Sequence, residues 1–254
     1  MESKKLKIED NDTYVLAQSK SFIMVNDNYQ GINIYDHELN FLNAIKVSEE
    51  LMIYNLYSSK KDDRIVLFDA ENMKLYIVDL YDPTDIIPID TEAIFLEWFK
   101  SETDWFALRD ASKEYRFSFR DGKAISCSFY DSIHMLSYRD EDILIEENSR
   151  LYLLKDNEKI DLYKKYENTK FYAFSEKCIV EYTENSLLVE KNDGRRESIE
   201  VDTRWMIRKV LIEEDKLTIL LNAESRATRN ELIRCPISDI GSLKSFDSFI
   251  ISDE

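Results

Sequence analysis

Short apolar runs that end in an acidic or amide turn recur along the chain at a nearly constant interval. Phe22-Ile23-Met24-Val25 precedes Asn26-Asp27, Ile65-Val66-Leu67-Phe68 precedes Asp69, and Trp105-Phe106-Ala107-Leu108 precedes Asp110. Ile143-Leu144-Ile145 leads into Glu146-Glu147-Asn148, Ile179-Val180 into Thr183-Glu184-Asn185, and Leu217-Thr218-Ile219-Leu220-Leu221 into Asn222. The run starts lie 43, 40, 38, 36 and 38 residues apart. Such runs are too short for stable helices and suit strands buried on both faces. Even recurrence near 40 residues therefore predicts a repeated all-β unit with room for four strands of about five residues each and their turns.

Six groups of candidate strands follow, spanning 14–47, 51–89, 93–129, 133–163, 171–201 and 205–251. Tyr115, Phe117 and Phe119 alternate with Arg116, Ser118 and Arg120, the period of a half-buried strand. Asp121-Gly122 and Asp193-Gly194 are hairpin signals between such segments. Pro88 confines the segment 86–89 to a sheet edge. Helix competes at Glu92–Phe99 and Asp161–Glu167, and Ser238–Ser248 reads as a loop or a helical turn. With only 4 Gly, Asn and Asp are expected at the left-handed turn positions.

A four-strand unit of this length resembles one blade of the β-propeller superfamily, and the resemblance covers nearly the whole chain. It implies a single domain over 1–254, an all-β, six-bladed β-propeller of four-stranded antiparallel blades, with five blades and an extra hairpin as the competing count. The Gly-His and Trp-Asp signatures of WD repeats are missing, as are kelch di-glycines, so no family residue is carried over. A ring must also join its ends or leave a sheet edge open to mispairing. Leu6-Lys7-Ile8 and Phe249-Ile250-Ile251 are the two candidates for the outer strand of the last blade, and the N-terminal one, which precedes the first repeat, is preferred.

The 51 acidic and 34 basic residues leave a formal charge of −17, which repels nucleic acid and accelerates encounter with a basic protein. Cys127, Cys178 and Cys235 form no CxxC pair and read as reduced thiols of a cytoplasmic protein, Cys127 and Cys178 packing as small hydrophobes inside strands. The first residues lack the apolar run of a signal peptide, and no stretch approaches the roughly 20 apolar residues of a membrane helix.

Catalytic signatures are scarce. His37 and His134 are the two imidazoles, too few for a histidine-built metal site. His37 reads as an exposed loop residue and His134 as a buried histidine or a base. No phosphate-cradling glycine loop, nucleophile elbow or calcium loop occurs, so no cofactor or metal is expected. Paired carboxylates are the one abundant raw material, and Asp27, Asp69, Asp110, Asp131 and Asp202 at turn positions are the candidates for a glycoside hydrolase-like site. The favoured expectation is non-enzymatic: a cytoplasmic protein-binding module for a basic partner, similar in bulk properties to immunity or inhibitor proteins. Its candidate anchors are the turn-proximal aromatics Tyr29, Tyr57, Tyr81, Tyr130, Tyr138 and Trp205.

Overall fold

The computed structural model describes residues 2–250 except 132, 140 and 157; Ile251, the last residue of one candidate closing strand, lies outside them. The strands sort into six antiparallel sheets. Blade 1 holds Leu16–Gln18, Ile23–Asp27, Gly31–Tyr35 and Phe41–Lys46. Blade 2 holds Ile53–Ser58, Arg64–Asp69, Lys74–Asp79 and Ile87–Asp90, and blade 3 Phe99–Ser101, Trp105–Arg109, Lys113–Ser118 and Ala124–Phe129. Blade 4 is built of His134–Arg139, Asp142–Glu147, Arg150–Lys155 and Glu158–Lys165. In blade 5, Phe171–Phe174, Cys178–Tyr182, Ser186–Lys191 and Arg196–Val201 are extended by Phe249–Ile250. Blade 6 joins Trp205–Glu213, Lys216–Ala223 and Arg226–Pro236 to the N-terminal strand Lys4–Glu9.

The six sheets stack radially. One apolar cluster fills each gap between neighbours, from Met24, Ile53 and Leu67 between blades 1 and 2 around to Ile8, Leu16, Leu220 and Leu232 between blades 6 and 1. The recurrent apolar runs are the second strands, apolar toward both neighbours: Ile65 through Phe68 and Phe106 through Leu108 are fully buried. The first strands approach one another at the centre. The molecule is thus an all-β, six-bladed β-propeller.

Several elements differ from the sequence reading. The innermost strand of blade 3 is Phe99–Ser101, although the sequence pattern predicts that the third group of candidate strands opens with a strand at 93–99, and 91–98 is an irregular connector, neither strand nor helix. Its backbone bonds go elsewhere: Leu96 N donates to Arg109 O at 2.7 Å, and Leu96 O accepts from the Tyr57 hydroxyl at 3.0 Å. Asp161–Glu167 is mostly strand, and Ile237–Ser245 is a 3₁₀ segment. Phe249–Ile250 pairs with Glu200 and Val201 of blade 5, outside the last blade. Asp10, Asn28, Asn148 and Asp156 do take positive φ, but so do Leu39, Met73, Ser149, Tyr163 and Glu214, a wider set than Asn and Asp. Gly31 is required by close approach, since a Cβ there would sit 1.9 Å from Ile45 O.

Cys178 and Cys235 are buried, whereas Cys127 lies exposed on the outer strand of blade 3 and is no core hydrophobe. Burial raises both inner thiols, Cys235 to about 12. A native sample treated with an aromatic disulfide reagent should therefore release one equivalent quickly, and the other two only after denaturant is added. Fast reaction of all three thiols in the native state would contradict this packing.

Candidate binding face

Antiparallel order fixes what each face of the ring carries. Turns between second and third strands, and the connectors between blades, meet on one face, here the upper; the remaining turns form the lower. The acidic turns noticed in the sequence therefore share a face. The described upper loops hold Asp10, Asp12, Glu49, Glu50, Glu71, Glu92, Glu97 and Asp110 around blades 1 to 3, and Asp131, Glu167, Glu184, Asp202 and Glu224 around the rest. Their basic residues are Lys170, 3.0 Å from both Glu167 and Glu181, and Arg204, 2.6 Å from Asp202. The lower loops by contrast mix Lys20, Lys60, Lys61, Arg120, Lys123 and Lys177 among their acids.

The five candidate acids lie toward the upper face, Asp27 and Asp69 at the ends of second strands and Asp110, Asp131 and Asp202 each in its own turn or connector. Asp69 is fully buried and accepts from Asn72 N and, at 2.7 Å, from Asn72 Nδ2. Asp110 accepts from Ser112 N and Lys113 N at 2.7 Å and from the Tyr115 hydroxyl at 2.9 Å. Partial burial would raise its carboxyl, but these bonds hold it below the usual range. Asp27 sits 3.4 Å from Asn33 Nδ2 and 3.5 Å from Asn11 Nδ2. Arg204 similarly holds Asp202 low by direct hydrogen bonds, and Asp131 is exposed in a connector. Three of the five thus cap side-chain-to-backbone turns.

The aromatic candidates separate. Tyr29 is 41% exposed on the upper face, with its hydroxyl donating to Asp12 Oδ2 at 2.5 Å. Tyr57 is 0% exposed and Trp205 is buried, so both belong to the core and offer a partner nothing. Tyr81 is exposed on the lower face, and Tyr130, half-buried, bonds to Asp110 O and lies under Arg109. Tyr138 is half-buried near the lower end of the innermost strand of blade 4. Sequence reasoning missed Tyr54, Ile94 and Leu96, which the upper face exposes by 60%, 62% and 38%. Ile94 and Leu96 alternate with buried Phe95, a signal present in the sequence, whereas Tyr54 is displaced by a bulge between Ile53 and Asn55 that no local pattern marks.

The ring encloses a central cavity of about 160 Å³ that Lys60, Arg139 and Phe171 help to line. Glu97 crosses it to pair with Lys209 of blade 6. Burial would lower the Lys209 ammonium, but the charge and hydrogen bond of Glu97 together with Tyr182 outweigh it and raise the group. Lower down, Lys60 Nζ donates to Ile212 O at 2.6 Å. His37 is half-buried, not an exposed loop side chain: its Nδ1 lies 3.5 Å from Glu213 across the seam of blades 6 and 1, and within blade 6 Glu213 also accepts from Arg234 at 2.6 Å. Burial lowers the His37 imidazole. His134 is exposed rather than buried and pairs with Glu146 at 3.0 Å. Among the described residues, no cluster of three or more His, Cys, Asp or Glu could hold a metal, and no helix is long and apolar enough to cross a membrane.

No family model and no curated protein sequence matches the chain. Solved structures do. The β-propeller domain of Myceliophteria thermophila Cps50 (Swd1) superposes with a TM-score of 0.57 at 10% identity, over 90% of this chain and 99% of that one. A putative exported protein of Bacteroides fragilis gives 0.57 at 7% identity over 91% and 94%. Hsv2 of Kluyveromyces marxianus gives 0.52 at 10% over 84% and 76%. Likeness at these identities is one of fold: the chain shares the β-propeller architecture of these proteins.

Proposed function

We propose that this propeller is a protein-binding module that engages a basic protein partner through its upper face and performs no chemistry of its own. The polarity of the ring carries this reading: acids line the upper loops, and the two bases among them are already paired. Clustered carboxylates on a rigid scaffold focus a negative potential that steers a cationic protein and repels phosphate backbones. Loops on a propeller ring are spaced by the core beneath and need little reordering on binding, which lowers the entropic cost of recognition. The turn acids support binding over hydrolysis, because Asp69 and Asp110 spend their lone pairs on their own turns. Three free thiols accord with a reducing cytoplasm. In such a compartment the module neutralises or tethers its partner, the role of an immunity- or inhibitor-type protein.

Affinity capture from the native lysate, followed by titration calorimetry with the recovered protein, tests this. The expected partner is basic, its affinity falls steeply as salt rises, and reversing Glu49, Glu71 and Glu92 to Lys abolishes binding. A neutral or acidic partner bound equally well at low and high salt would contradict the reading.

A further inference from the structure

We infer that the partner docks on one sector of the upper face, from the connector 10–15 to the connector 91–98, with a segment that combines lysine or arginine with aliphatic or aromatic side chains. This rests on the binding-module reading and specifies it.

Two independent properties coincide in that sector. The first is a run of apolar side chains along the sector with a fixed underside. The Tyr14 and Tyr29 rings lie 6.2 Å apart, and the Tyr14 hydroxyl meets Met52 Sδ at 3.7 Å. Tyr54 stands edge-on to Phe68 at 6.0 Å, and Phe68 edge-on to Phe95 at 5.4 Å, with exposed Ile94 and Leu96 on either side of Phe95 in the chain. Asn55 Nδ2 donates to Phe95 O at 3.3 Å, while the bonds of Leu96 to Tyr57 and Arg109 pin the next residue. Leu96 is thereby held out in solvent, where a free loop would fold it inward. Other large exposed apolar side chains, such as Phe129 and Tyr163, stand on the outer strands of separate blades.

The second property is charge. The loops 10–15, 28–30, 47–52, 70–73 and 91–98 contain no Lys or Arg, while Asp10, Asp12, Glu49, Glu50, Glu71 and Glu92 surround that run. The nearby strand-end bases are engaged, Lys46 with Glu49 at 2.7 Å and Lys74 with Asp90 at 3.8 Å. An apolar centre inside a single-sign rim matches a partner with the opposite rim and its own apolar centre. A second copy of this chain does not fit, because a two-fold contact would set the same acids against themselves.

Two short synthetic peptides of equal charge, one of lysine and leucine and one of lysine and serine, are the probes for the full chain. The wild type should bind the leucine peptide at least about tenfold more tightly. Substituting I94S and L96S, or Y54S alone, should erase that preference and leave the serine peptide unaffected; E49K with E71K and E92K should weaken both. F129S on the outer strand of blade 3 should change neither. If the wild type binds neither peptide, the binding-module reading falls. If both bind but the preference is missing, survives I94S and L96S, or vanishes in F129S, the sector assignment falls and the broader reading stands.

Discussion

Phe68→Ala and Phe106→Ala are each expected to lower stability by about 3–5 kcal/mol. Both rings are fully buried in the gap between blades 2 and 3, the most aromatic of the six. Phe68 packs edge-on against Tyr54 and Phe95; Phe106 lies 5.3 Å from Phe117, 4.9 Å from Phe119 and 6.1 Å from Phe99. Truncation removes apolar contact and leaves a hole that rigid sheets on both sides cannot close, since each backbone is held by ladders to its own blade. In a domain of this size the melting midpoint should fall by roughly 10 °C. Phe129→Ala, on an exposed outer strand, should stay within about 0.5 kcal/mol of the wild type. Equal losses at all three positions in a thermal melt would show that the gap between blades 2 and 3 is not special.

The same double-sided burial explains how much was legible. A second strand is sandwiched between two neighbours, so its residues are apolar whatever their parity, and the runs stand out at even spacing. The first strand of blade 3, by contrast, is only three residues long and leaves little pattern of its own. Residues 93–99 look like a strand because Ile94, Leu96 and Trp98 alternate with Phe95, yet burial follows Phe95 and Phe99, which enter the gap between blades 2 and 3, and Trp98, which enters the gap between blades 3 and 4. The strand Phe249–Ile250 has a partner almost 50 residues upstream in blade 5, and pairing at that range leaves no local trace. Among the anchor candidates, Tyr57 and Trp205 went inward because large rings beside turns fill the taper between sheets. The acidic turns were visible from the start. That they share a face follows only from strand direction, once the sheets are known to be antiparallel and ordered outward from the centre.

Closure of the ring is the other point where a small change should have a large effect. A chain lacking residues 2–9 is expected to lose the outer strand of blade 6, whose register runs from Lys4 opposite Arg234 to Glu9 opposite Arg229. Two losses add. Ile8 is buried in the seam between blades 6 and 1, and its removal forfeits about 1.5–3 kcal/mol of apolar burial. Lys5 lies 3.3 Å from the carboxylate of Glu231, which is 1% exposed, so the truncation also removes that ion pair; where the strand is kept and only the ammonium is lost, the buried charge is destabilising by about 3–5 kcal/mol. The strand Arg226–Pro236 would then present unpaired backbone along Leu232 and Ile233, a template for pairing with another chain. Size-exclusion chromatography should show oligomers or aggregate, and the melt should broaden and shift down. Lys5→Met separates the two causes: it keeps the strand and the monomer while removing the ion pair, so it should retain the wild-type elution volume but melt lower. A truncated chain that eluted as a monomer with an unchanged melt would mean that blade 6 is complete with three strands and that the N-terminal strand is ornamental to the ring.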